Sequence, residues 1–148
     1  MIKKDVSIWN INSFGEYYLQ IYDKYKKVYA NALVEIKNAR KIFLNELNKQ
    51  REKYQIEGNI LKEIEILREI LVETEKQYGS ESDEYIKALN ELGGTLKYVG
   101  YYDEAENNLK NSLEIIKKKY GDNNLAYATT LLNLTEVYRF AQKFNLLE

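Results

Sequence analysis

The amino-acid sequence predicts an all-α protein made of antiparallel helix pairs. The chain of 148 residues contains no Pro and only seven Gly, so few positions would interrupt a helix. Apolar residues recur at helical spacing, as in Tyr85, Leu89, Leu92 and Leu96. The third observation is a regular spacing of the glycines, which divides the chain into repeats.

The offset between repeats is 42 residues. It separates Gly58 from Gly100, and Gly79 from Gly121. Apolar positions follow the same offset; matched pairs include Leu67 and Leu109, Leu71 and Leu113, Tyr85 and Tyr127, and Leu89 and Leu131. Because turns and apolar positions share one offset, each period is predicted to hold a helix, a short turn and an antiparallel helix.

Composition excludes several functional classes. The chain has no Cys and no His, so disulfide frameworks, thiolate nucleophiles, imidazole catalysis and Cys-ligated zinc are excluded. Lys and Arg number 22 against 23 Asp and Glu, with a pI near 5.7, which argues against a general nucleic-acid binder. No stretch resembles a signal peptide or a transmembrane helix, so we expect a cytoplasmic protein that contacts no membrane.

The first predicted helix follows an N-terminal segment, residues 1–13. Ser13 and Glu16 have the spacing of a capping box, which predicts a helix from Phe14 to about residue 56. Two helices, broken near Asn31 or Asn38, are the alternative. The end of this stretch is expected to serve as the first helix of a degenerate repeat.

A stripe of apolar residues, here called the tyrosine seam, follows this helix at alternating steps of four and three residues. Its members are Tyr18, Tyr22, Tyr25, Tyr29, Ala32, Ile36, Ala39 and Phe43. Such heptad spacing is typical of helices that pack against another helix. One interpretation is core, with the seam packed on the chain's own repeats. The other is a homodimer, with Tyr18, Tyr22, Tyr25, Tyr29 and Ile36 as the candidate self-association residues.

The remaining helices are predicted near 60–78, 83–99, 102–119 and 124–141. Ser82 or Asp83 can cap the second of these, and Asn123 or Asn124 the last. The third is expected to stop at Gly121, a residue suited to a left-handed helix end.

Residues 92–116 resemble the tetratricopeptide repeat. The resemblance rests on Leu92-Gly93 in the first helix, Gly100 at the turn, and Tyr102, Ala105 and Leu109 in the second. It implies that Gly93 and Ala105 are small because two helices cross closely there. The period of 42, the segment 120–123 and the run 127–134 are similar to the longer repeats of kinesin light chains, although the His-Pro of that subtype is missing.

The resemblance implies helix pairs stacked as a right-handed superhelix over residues 57–148, preceded by the long helix of 14–56. The clear repeat is 79–121, the degenerate one is 37–78, and the truncated one is 122–148. In the degenerate repeat Arg51 and Glu63 replace the small crossing residues. Because a repeat cannot bury its apolar face alone, we expect a fragment of a longer protein.

The resemblance also implies a peptide groove along the first helix of each repeat. Its candidate residues are Asn48, Lys49, Glu52, Gln55, Lys87, Asn90, Glu91, Lys97, Tyr98, Thr129, Asn133, Glu136 and Arg139. Asn90 and Asn133 could hold a peptide backbone, because an amide side chain both donates and accepts. Glu52, Glu91 and Thr129 stand where related domains that grip a C-terminal carboxylate need amides or cations, which disfavours that ligand.

The sequence therefore favours a non-catalytic interaction module or scaffold that binds a protein or peptide, with no cofactor and no metal. The alternative is a self-associating segment of a larger signalling or effector protein. Catalysis by paired carboxylates needs neither His nor Cys, but it is disfavoured because the acidic clusters lie on predicted exposed faces. Those clusters are Glu63, Glu65 and Glu69, and Asp103, Glu104 and Glu106.

Overall fold

The computed structural model describes the backbone of residues 11–145 and the side chains of residues 15–142. Within that range the fold is all-α, as predicted, and no strand is present. The helices are α1 (Ile11–Ile56), α2 (Ile60–Tyr78), α3 (Asp83–Leu96), α4 (Tyr102–Tyr120) and α5 (Leu125–Asn145). A 3₁₀ turn, Lys97–Val99, follows α3. Most of the predicted N-terminal segment and the last three residues of the predicted truncated repeat lie outside the described residues.

The chain divides into two compact units, Met1–Ala39 and Arg40–Glu148. The first contains most of α1, which is one uninterrupted helix rather than two. The helix is already formed at Ile11, so Ser13 lies inside it and the predicted start at Phe14 is too late. Every side chain from residue 16 to residue 43 is exposed. The tyrosine seam is therefore not part of the core that the described residues form.

Side-chain caps fix the starts of three helices in the second unit. Asn59 Oδ1 accepts a hydrogen bond from Lys62 N at 3.3 Å. Ser82 Oγ accepts from Tyr85 N at 3.1 Å, and Asn124 Oδ1 from Tyr127 N at 2.9 Å. Ser82 and Asn124 are thus the caps among the predicted alternatives. Each satisfies a backbone N–H that has no partner inside its own helix.

Four glycines that are related in pairs by the 42-residue offset share a backbone feature. Gly58, Gly79, Gly100 and Gly121 all have positive φ, between 69° and 96°. Gly79 and Gly121 end α2 and α4 in the same manner, each donating its N–H to the carbonyl four residues earlier. Only a residue without Cβ adopts such φ values readily, so the repeat recurs where the chain must turn.

The helices of the second unit are grouped here by their place in the repeats. The first layer is the end of α1, α3 and α5, and the second layer is α2 and α4. α3 packs against α2, α4 and α5. The largest buried cluster joins both layers through Ile64, Leu67, Leu92, Leu96, Ala105, Leu109, Leu134 and Val137. Burial of each of its large side chains stabilises the fold by about 1.5–3 kcal/mol.

α3 and α4 approach closely at Gly93. A Cβ added there would lie 2.7 Å from Leu109 Cγ and 3.3 Å from the carbonyl oxygen of Ala105. Ala105 and Leu109 are fully buried. The prediction that small residues mark a close crossing is therefore confirmed, since a side chain at residue 93 would push the helices apart.

Replacement of the two adjacent glycines of α3 by alanine should have opposite effects. Gly93→Ala should lower the free energy of unfolding by about 1–3 kcal/mol, because the new methyl collides with Leu109. Gly94→Ala should raise it by about 0.5–1 kcal/mol, because a Cβ there meets nothing within 4 Å and alanine favours the helix. Urea unfolding measures both. Equal changes in the two variants would contradict the close crossing.

Candidate functional site

The predicted groove residues lie on the first layer, and the exposed side of that layer in the second unit is here called the groove face. Asn48, Lys49, Glu52 and Gln55 are on α1, and Lys87, Asn90 and Glu91 are on α3. Lys97 and Tyr98 belong to the 3₁₀ turn; Thr129, Asn133, Glu136 and Arg139 are on α5. The structure groups several of them into two clusters, at opposite ends of α3.

The first cluster surrounds an open cleft of about 150 Å³ between α1, α2 and α3. Buried Leu44, Ile70 and Ala88 supply its apolar lining. Asn48, Lys87 and Glu91, all predicted groove residues, stand around it together with Thr74, Tyr78 and Glu84. A cleft with an apolar interior and a few polar groups around it is the usual form of a binding site for a small ligand or side chain.

Charges beside this cleft come partly from the degenerate repeat. Glu63 is buried, 8% exposed, at the position that corresponds to Ala105 in the clear repeat. Burial raises the pKa of the Glu63 carboxyl above its usual value; the charge of Arg51 opposes this shift, and that of Glu91 adds to it. Lys87 Nζ lies 4.0 Å from Glu91 Oε1. The rim thus carries both signs of charge.

Asn90 differs from its predicted role as a free amide. Its Nδ2 donates to Ile86 O at 3.1 Å and to Ser112 Oγ at 2.9 Å, while its Oδ1 is buried and accepts no hydrogen bond. Ser112 is itself fully buried on α4. Both amide hydrogens are therefore used inside the chain: one bonds within α3, and the other joins α3 to α4.

The second cluster centres on Lys97, which is only 5% exposed. Its Nζ forms an ion pair and hydrogen bond with Glu136 of α5. The same atom lies 5.0 Å from the ring centroid of Tyr98 and 5.6 Å from that of Phe140. Those two rings pack edge to face, with their centroids 5.6 Å apart. The ammonium therefore has a carboxylate and two aromatic rings as its neighbours, an arrangement that stabilises a desolvated cation.

The second cluster also includes side chains that are exposed to solvent, among them Tyr98 and Arg139. Hydrogen bonding and the charge of Lys97 lower the pKa of Glu136, and Arg139 contributes in the same direction. Arg139 Nη2 lies 3.8 Å from Glu136 Oε1, and Tyr98 is 60% exposed. Tyr and Arg are among the residue types that dominate binding energy at protein interfaces.

Phe140 was missed by the sequence analysis, although a signal for it existed. It follows Tyr98 by 42 residues, so the two rings occupy the same position in successive repeats. Their contact shows that this position lies where neighbouring first helices meet. For Tyr78, Thr74 and Glu84 no comparable signal existed, because they come from the end of one helix and the start of the next.

The other predicted groove residues lie outside the two clusters. Lys49, Glu52, Gln55 and Thr129 are exposed, and Asn133 is half-buried. The acidic residues considered for catalysis do not converge: Glu65 pairs with Lys62, Glu104 with Arg68, and Glu106 with Lys110. Among the described residues no group of three or more acidic side chains could hold a metal ion. No described helix is long and apolar enough to span a membrane.

A larger cleft, of about 380 Å³, lies away from the groove face near the turn between α2 and α3. Glu75, Glu81, Glu114 and Lys118 line it together with Tyr85. Burial, followed by the charge of Glu75, raises the pKa of the Tyr85 phenol. None of these residues was predicted as a site residue, because three helices and a turn contribute them without a shared spacing.

Comparison with known proteins supports the repeat assignment for part of the chain. Residues 84–146 match the family model of the tetratricopeptide repeat. This range covers nearly all of α3 together with α4 and α5, and leaves α1 and α2 outside the match. No curated protein matches the chain. The kinesin-light-chain subtype stays a prediction.

Removal of the buried charge of Glu63 should stabilise the protein at neutral pH. A group with a raised pKa in the folded state contributes stability below its unfolded pKa and loses that contribution as pH rises through the folded value. Glu63→Gln should therefore unfold at higher urea than wild type near pH 7, with a smaller difference near pH 4. The control is Glu69→Gln, an exposed site that should change the free energy of unfolding by less than about 0.5 kcal/mol. A gain that does not depend on pH would contradict the assignment.

Loss of Glu136 alone should destabilise the protein more than loss of both Glu136 and Lys97. Glu136→Gln should destabilise the fold because Lys97 stays buried without a carboxylate. Lys97→Met in the same chain should recover much of the loss. Since the pKa of Glu136 is lowered, wild type should lose stability relative to the double variant as pH falls through the acid range. Additive effects of the two substitutions in urea unfolding would argue against the pair.

Proposed function

We propose that this chain, of which residues 84–146 match the tetratricopeptide repeat, is a non-catalytic interaction module that binds a peptide or partner domain on its groove face. Repeats of this family generally mediate protein–protein interaction. The subtype proposed for this chain is the longer repeat of kinesin light chains, because the 42-residue offset persists in the turns. The proposed compartment is the cytoplasm, since a chain without Cys takes no stability from disulfides.

One observation carries the proposal: the cleft between α1 and α3 brings together predicted groove residues from two successive repeats. Asn48 and Glu91 are 43 residues apart in the chain but line the same cleft. The apolar interior could take one aliphatic side chain, because it is about the size of a few methyl groups. Lys87 and Glu91 could then bond the polar groups that flank this side chain.

The cluster around Lys97 supplies a second anchor on the same face. Tyr98 and Arg139 offer an aromatic face and a guanidinium that are held in place by Glu136 and Phe140. Pre-ordered side chains lose little rotational freedom when a partner binds. Two anchors along one layer of helices favour an extended ligand rather than a compact small molecule.

The charges indicate which ligand is disfavoured. A C-terminal carboxylate placed against the first cluster would meet Glu91 and Glu84, and like charges at short distance repel. An internal peptide segment carries no terminal charge, and its backbone groups can bond Asn48 and Asn133. We therefore propose an internal segment with one aliphatic residue as the ligand.

A display library of random peptides, selected on the immobilised chain, tests this function. Peptides enriched on wild type should bind Lys87→Ala/Asn133→Ala with a Kd raised about tenfold or more, because both changes remove polar contacts on the groove face. The matched control is Lys117→Ala/Asn107→Ala, which changes the same residue types on the exposed side of α4 and should leave the Kd unchanged. Failure to enrich any peptide, or equal loss in both variants, would reject the proposal.

A further inference from the structure

The tyrosine seam is an apolar surface on a helix whose described side chains are all exposed from residue 16 to residue 43. Tyr18, Tyr25 and Tyr29 are 64%, 70% and 59% exposed, and Tyr22 and Ile36 are 49% and 50% exposed. At about 200 Å² per tyrosine, the four rings alone expose roughly 400–500 Å², close to the largest apolar patch of a typical monomer. Leu19, Ile21, Val28 and Leu33 widen the patch on either side. Two such surfaces can together supply the roughly 1,200 Å² that a stable interface requires.

The sizes of the seam residues are not distributed evenly. Toward the N-terminus every position is tyrosine, whereas Ala32 and Ala39 lie in the C-terminal half. The seam residues occupy the a and d positions of a heptad. In an antiparallel pair of helices related by a two-fold axis, each a position faces a d position of the other helix. An axis between residues 30 and 31 places Tyr29 opposite Ala32 of a second copy. The same axis places Tyr22 opposite Ala39 and Tyr25 opposite Ile36.

We infer that the tyrosine seam binds a second copy of this chain in an antiparallel orientation, with the two-fold axis between residues 30 and 31. A large side chain then meets a small one in four of the six layers between residues 22 and 39. This alternation of large and small residues is how facing helices fill space without voids. The seam is complementary to itself, which is the observation that selects a second copy over another occupant.

The parallel orientation fits less well. It places each residue opposite its own counterpart, so that tyrosine meets tyrosine and alanine meets alanine. Helices spaced to hold the tyrosine layers would leave gaps at Ala32 and Ala39. Its one gain is an ion pair between Glu35 and Arg40 of the second copy, which lies at the exposed edge of the interface and contributes little.

Charges on the rest of the helix are compatible with the antiparallel pair. Lys24, Lys27 and Lys37 lie on the side away from the seam and are exposed, so they stay in water. Lys26 borders the seam, and its Nζ lies 5.2 Å from the ring centroid of Tyr22. A long side chain of this type can cover an apolar surface with its stem while its ammonium stays solvated.

Sedimentation equilibrium tests the association. The wild-type chain should have twice its 17.5 kDa monomer mass at about 100 μM, where a pair with a Kd of about 10 μM is mostly dimeric. Tyr22→Glu/Tyr29→Glu should sediment as a monomer, because each dimer would bury four carboxylates. Gln20→Glu/Asn31→Glu adds the same charge to the opposite side and should remain a dimer. Monomeric wild type, including monomers that bind anionic lipid vesicles, would overturn the inference.

Disulfide cross-linking tests the orientation, and the chain suits it because it has no cysteine of its own. A mixture of Tyr22→Cys and Ala39→Cys chains should give a cross-linked heterodimer on mild oxidation. Tyr22→Cys alone should not cross-link, since residues 22 of antiparallel copies would lie about 26 Å apart along the axis. Asn38→Cys, on the opposite side, is the control partner for Tyr22→Cys and should stay reduced. Efficient cross-linking of Tyr22→Cys to itself would show a parallel pair and overturn the proposed orientation.

Discussion

The close crossing of α3 and α4 at Gly93 is the constraint on which the rest of the second unit depends. Because no Cβ stands at that position, Leu109 can enter the space between the helices and reach Leu92 and Leu96. The same approach brings buried Ser112 within hydrogen-bonding distance of Asn90. α3 is thereby fixed on one side, and its remaining surface is left to meet α2 and α5. Both clusters of the groove face lie on helices that this crossing orients.

The degenerate repeat shows what happens when the small residues are absent. Arg51 and Glu63 occupy the positions of Gly93 and Ala105, so two charged side chains stand where glycine and alanine allow close contact. The fold accepts them by keeping Glu63 buried near the opposite charge of Arg51. Its neighbour Glu91 lines the cleft between α1 and α3. The departure from the repeat pattern therefore places charge beside the proposed binding surface, at positions where the clear repeat has the uncharged Gly93 and Ala105.

Much of the fold could be predicted because the determining features are local. Gly79 and Gly121 mark helix ends through their own backbone, and Ser82 caps α3 through a residue three positions ahead. The candidate site was predictable only as a set of positions on helices. The burial of Lys97 depends on Glu136, 39 residues later, and that of Asn90 Nδ2 depends on Ser112. Such pairings follow from how helices pack, and a spacing rule applied to one helix cannot supply them.

Equivalent residues of two repeats show that the burial of a side chain depends on which helix packs against it rather than on its residue type. Leu89 is 1% exposed, whereas Leu131, at the same repeat position, is 45% exposed. Leu96 and Tyr138 differ in the same way, at 0% and 45%. α4 covers α3, and the described residues place no corresponding helix on α5. The same repeat positions are therefore covered in α3 and exposed in the described part of α5. Tyr18, Tyr22, Tyr25 and Tyr29 lie upstream of the repeats and are exposed, so the 42-residue pattern gives no reason for these four tyrosines.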